Sequence, residues 1–158
     1  MKKSVNHLKT VRNYFNGNNN VSYRKFKRAL DNLVKSEDPE GLVIAASTQG
    51  KNMNDEEFNE RRMKLLSRAI ELEFSHAMVA LAEDYYHKRN NEEAFKLYER
   101  AARLNNAHAL KVLSMVYKLG IDGFEKDSVK AKELKERSKS GVVWSIDKGF
   151  DAERSDYD

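Results

Sequence analysis

The stretch Lys64-Leu65-Leu66-Ser67-Arg68-Ala69-Ile70-Glu71-Leu72-Glu73-Phe74-Ser75-His76-Ala77 returns 32 residues later as Lys96-Leu97-Tyr98-Glu99-Arg100-Ala101-Ala102-Arg103-Leu104-Asn105-Asn106-Ala107-His108-Ala109. The match runs on through Leu81/Leu113 and Tyr85/Tyr117, and nine of the 25 positions from 64 to 88 are identical at this offset. A period in the thirties that carries helical spacing predicts stacked helical hairpins. Ala69, Ala77, Ala101 and Ala109 let helix axes approach closely, while Leu65, Leu81, Leu97 and Leu113 fill the space between them. One hairpin alone offers an apolar stripe too narrow to fold on; neighbours merge such stripes into a core.

Outward from this stretch the pattern predicts three helix pairs: 39–49 with 55–72, 75–88 with 91–104, and 107–119 with 127–139. Asn54-Asp55-Glu56-Glu57, Asn91-Glu92-Glu93 and Asp127-Ser128 put caps and acids where helix N-termini favour them. Asp38-Pro39 starts the first pair, because proline at the first helical position loses no hydrogen bond. Ahead of it, residues 4–16 form one helix, ended by the run from Asn16 to Asn20. Ser22 caps a second helix, with Phe26, Ala29, Leu30 and Leu33 along one face. The expected architecture is an all-α, right-handed helical-hairpin solenoid of about three repeats. A basic helical pair (1–38) covers one end, the repeats occupy 39–141, and a capping segment with an acidic tail (142–158) closes the other.

Composition agrees. The 158 residues hold one proline, seven glycines and no cysteine, which favours helix and excludes disulfides and thiolate metal sites. Met1-Lys2-Lys3 is followed by no apolar core of a signal peptide, and no apolar run reaches the roughly 20 residues of a membrane span. A cytoplasmic protein without membrane contact is expected. The net charge of +4 hides an asymmetry: residues 1–36 hold nine Lys/Arg against Asp31 alone, so the remainder is acidic.

The third pair carries a recognisable spacing. Ala109-x3-Leu113-Ser114-x2-Tyr117-x2-Gly120-x2-Gly123, followed by Asp127-x3-Ala131, resembles the Sel1-like repeat, a tetratricopeptide-like helical repeat family. Ala77, Leu81, Tyr85, Ala94, Tyr98, Ala101 and Ala102 resemble it in the second pair, with His87-Lys88-Arg89-Asn90 in place of the glycine loop. Lys135 and Ser138-Lys139 depart from the family's aromatic and Ala-Ala positions, which suits a terminal, capping helix. The resemblance implies protein–protein adaptor work, with no shared cofactor and no catalytic residues.

Nothing in the residues argues for an enzyme. His76 and His108 repeat because the segment repeats, and no metal-ligand spacing occurs. The paired carboxylates Glu56/Glu57, Glu92/Glu93 and Glu133/Glu136 sit at helix starts or on polar faces, with no apolar cradle to shift them. Gly120-Ile121-Asp122-Gly123 lacks the following Lys-Ser/Thr of a phosphate loop. No catalytic, metal or cofactor residue is therefore expected.

Binding residues are sought where the repeats differ. In stacked hairpins the first helix of each pair lines the concave face, so Met78, Glu83, Tyr86, Lys111, Ser114 and Lys118 are the expected contacts of a protein partner. Trp144, the lone tryptophan, either joins that contact as a hot spot or plugs the open end of the repeats; the plug is favoured because terminal repeats need caps. The alternative partner is DNA or RNA at the basic head, through Arg24, Lys25, Lys27 and Arg28, with Tyr14, Phe15 and Tyr23 available to stack. Self-association through the basic head and an acidic surface is a third expectation.

Overall fold

A computed structural model describes residues 2–150. The tail from Asp151 onward, expected to be solvated, lies outside them. The described residues are all-α: α1 (Lys2–Phe15), α2 (Tyr23–Lys35), α3 (Pro39–Ala46), α4 (Asp55–Glu71), α5 (Ser75–His87), α6 (Asn91–Arg103), α7 (Ala107–Leu119) and α8 (Ser128–Lys139). Seven of these follow the expected boundaries closely. α3 stops short, at Ala46, because its last carbonyls are taken over by side chains. Ser47 and Thr48 hydroxyls donate back to Val43 and Ile44 at 3.1 and 2.8 Å. Arg61 donates to the carbonyls of Ala45 and Thr48, and Arg62 to that of Ala46.

The turns between helices share one closure. After α2, α4, α5 and α6 the chain passes through a left-handed residue: Glu37, Glu73, Arg89 and Asn105, with φ of 54, 60, 60 and 61°. The following N–H then reaches back five residues: Asp38 to Leu33, Phe74 to Ala69, Asn90 to Tyr85 and Asn106 to Ala101, all at 2.9–3.1 Å. The left-handed residue's own N–H bonds three residues back in each case, and the two closures satisfy carbonyls that a helix end leaves free. Glu73 and Asn105 are 32 residues apart, so the turn repeats along with the helices. None of the four is glycine, and a side chain in this backbone region costs about 1–2 kcal/mol. Arg89→Gly is therefore expected to raise stability by about 1 kcal/mol, read as a higher urea midpoint with unchanged slope.

Two compact units divide the described chain: residues 2–77 with 145–149, and residues 78–144 with 150. In the first, α1 packs on α2, α2 on α3 and α3 on α4. Six consecutive residues of α3, from Gly41 to Ala46, are buried. A Cβ on Gly41 would collide with Leu33, so only glycine allows α2 and α3 this approach. α1 is tied to the start of α3 by Ser4 on Asp38 (2.6 Å) and by the Arg12–Glu40 ion pair. Gly149 lies against the Arg12 guanidinium.

In the second unit, α7 packs on both α6 and α8. The α7–α8 loop is built on left-handed residues Gly120, Asp122 and Gly123, and Asp127 N–H closes it onto Tyr117 O at 2.8 Å. The Asp122 carboxylate accepts from Asn91 Nδ2 (2.9 Å) and Tyr86 OH (3.3 Å). Phe124 sets its ring edge-on to Phe95 and Tyr117. Beyond α8, Val142 pairs with the α6–α7 junction: its N–H donates to Asn105 O (2.6 Å) and its carbonyl accepts from Ala107 (3.0 Å).

Candidate functional site

The outer positions of α5 and α7 form the first candidate surface. On α5, Tyr86 is 43 % exposed and its ring stands edge-on to Phe95 at 6.1 Å. Its hydroxyl bond to Asp122 holds the ring in place from the other side. Half-buried Glu83 lies 3.4 Å from His108 Nε2 of α7. Burial, and after it the charge of Glu83, pushes the Tyr98 phenol up to about 12, so this ring stays neutral behind the surface. Lys118 is exposed and Lys111 half-buried on α7.

Two expected contacts do not belong to this surface. Met78 is fully buried and Ser114 nearly so. Their repeat equivalents explain why. Met78 corresponds to Leu110 and Ser114 to Ala82, all buried. The residue differs between copies, but its size does not. Ser114 stands where α7 crosses α8, and its hydroxyl donates to the Ala131 carbonyl at 2.7 Å; a larger side chain would force the helices apart.

In their place the structure exposes Met115 (53 %), Leu119 (55 %) and Ile121 (41 %). The sequence carried a signal for the first two. Met115 lies two residues, about 200° of helix rotation, from the core residue Leu113, and Leu119 follows it at i+4. Trp144 is buried rather than open to a partner. Val142, two residues before it, docks beside the α6–α7 turn, while α8 has its apolar residues Ala131 and Leu134 buried and packs on α7.

The basic head gives the second surface. α2 turns Phe26, Ala29, Leu30 and Leu33 inward. Arg24, Lys25, Lys27 and Arg28 are all exposed. Lys27 pairs with Asp31 at 2.5 Å. Of the three aromatics expected to stack, Tyr14 is committed to the core side, face to face with Phe26 at 4.3 Å. Tyr23 and Phe15 stay about two fifths exposed.

Among the described residues, no group of three or more His, Cys, Asp or Glu is placed to hold a metal ion. No described helix is long and apolar enough to cross a membrane. No family model and no curated protein matches the sequence. Among solved structures, a Sel1 repeat protein from Oxalobacter formigenes is similar over 73 % of this chain, with 19 % identity and a TM-score of 0.55. The chain spans about a third (34 %) of that protein's length. Over that 73 % the chain thus has the Sel1-like repeat fold, the one that the spacing of Ala109, Leu113, Tyr117, Gly120 and Gly123 resembles.

Proposed function

We propose that this chain is a non-enzymatic adaptor or inhibitor that holds a protein partner on the outer face of α5 and α7. Helical-repeat folds present extended surfaces of this kind for protein contact. The observation that carries the reading is the exposure of Met115 and Leu119 on a helix whose Leu110, Leu113 and Val116 are buried in the core and whose Val112 is half-buried. Single exposed apolar residues are ordinary, but Met115 and Leu119 lie one helical turn apart on α7, with exposed Ile121 two residues further on, and form a patch. Lys118 and Glu83 supply charges at its rim, the arrangement expected of a protein contact.

The test is the paired variant Met115→Glu with Leu119→Glu. Both side chains are exposed, so thermal unfolding should shift little. Recovery of proteins co-purifying from native cells should fall by tenfold or more. Full recovery with the variant, or with Tyr86 and Lys111 changed together, would place the contact elsewhere.

A further inference from the structure

We propose that α2 and the α3–α4 turn bind an unpaired nucleic-acid strand, with Tyr23 as the stacking platform. This goes beyond protein binding and uses different residues.

The charges come first. Arg24, Lys27, Arg28 and Lys35 fall at i, i+3, i+4 and i+11, one stripe about 16 Å long on a helix rising 1.5 Å per residue. Among the described residues, Arg24, Lys25, Arg28 and Lys35 have no acidic partner; Asp31 is engaged by Lys27. The first turn of α2 holds no acid, and Arg24 and Lys25 sit there against the helix dipole. Folding gains nothing from that placement, whereas a bound polyanion relieves both the dipole conflict and the mutual repulsion. The stripe flanks an open groove of about 440 Å³, with Asn32 on its wall.

Charge alone would suit any polyanion. Tyr23 narrows the choice. It is 41 % exposed at the head of the stripe, and with Lys27 it also borders a second pocket, lined further by the α3–α4 turn. Leu30 and Met53 give that pocket apolar walls; Thr48 and Gln49 give it polar ones. Gln49 spends its amide N–H on the Met53 carbonyl at 3.1 Å, which leaves its oxygen free to accept from a base edge. Lys51 Nζ stands over the Tyr23 ring, 5.5 Å from its centroid, a cation that a stacking base would displace toward its own phosphate. A flat ring, a small pocket that joins apolar walls to an amide and the cations Lys27 and Arg61, and the basic stripe beside it match a splayed base and its flanking phosphates. A duplex stacks and pairs its bases out of reach of such a pocket.

Fluorescence anisotropy on the full chain decides it, with a labelled homopyrimidine oligonucleotide of about 12 nucleotides. A mixed-sequence duplex of equal length and phosphatidylserine vesicles serve as rivals. Preference for the single strand is expected. Affinity should drop about 50-fold between about 50 and 200 mM salt if four phosphates are neutralised. Tyr23→Ala should weaken binding about tenfold, Tyr23→Phe should bind like the parent, and Arg24→Glu with Arg28→Glu should abolish binding. The Met115→Glu, Leu119→Glu variant should bind the strand normally, which keeps this test apart from that of the protein surface. Lack of binding at the lower salt, preference for duplex or vesicle, or indifference to Tyr23→Ala would each overturn the proposal.

Discussion

Replacing Phe26 by alanine is expected to cost about 3–5 kcal/mol, the largest loss for any single residue of the first unit. Phe26 is 1 % exposed. Tyr14 stacks on its face at 4.3 Å and Phe15 meets it edge-on at 5.5 Å, so one ring organises the contact of α1 with α2. Its removal forfeits the burial of a phenyl group and the aromatic pairing, and leaves a cavity that the rigid Tyr14 ring cannot fill. A domain of this size is stable by about 5–15 kcal/mol, so about a fifth or more of the total is at stake. Urea unfolding followed by far-ultraviolet circular dichroism measures it. A loss under about 1 kcal/mol would mean that α1 does not pack on α2 as described.

Met78→Ala is expected to cost about 2–5 kcal/mol, whereas Met115→Ala should stay within about 0.5 kcal/mol of the parent. The two methionines lie on first helices of consecutive hairpins, and composition does not distinguish them. Burial does: Met78 is 0 % exposed and Met115 53 %. Parallel unfolding curves of the two variants test the assignment of core and surface on α5 and α7 together. Equal losses would mean that the outer face of α7 is covered. A near-neutral Met78→Ala would return that residue to the surface where the repeat comparison first put it.

A position that changes between copies is not thereby free to change. At Met78/Leu110 and Ala82/Ser114 the residues change within a size class, because the space between helices constrains volume and not identity. Glu83/Met115 and Tyr86/Lys118 change class altogether, and Met115, Tyr86 and Lys118 are exposed. The basic face was easier to read. Arg24, Lys25, Lys27 and Arg28 alternate with Phe26, Ala29 and Leu30 at helical spacing, and an amphipathic helix leaves its charges outside wherever it packs.

The turns were the least visible feature. Glu37, Glu73 and Arg89 hold left-handed backbone, though none is of a type that favours it. Those conformations go with the backbone closure onto the preceding helix, in which the next N–H reaches back five residues. The pairing of Val142 with Asn105 and Ala107 was likewise hidden, because backbone hydrogen bonds between distant residues leave no mark on side-chain spacing.

By itself the sequence determined the helices, their caps and the repeat, since 3.6-residue periodicity, Ser22, Asp38, Asn54 and Asp127 act within a turn or two of chain. Only the tertiary structure decided which arc of each helix stays open. That arc depends on which neighbour covers the rest: α8 closes over Ser114 and leaves Met115 exposed, one residue and about 100° away.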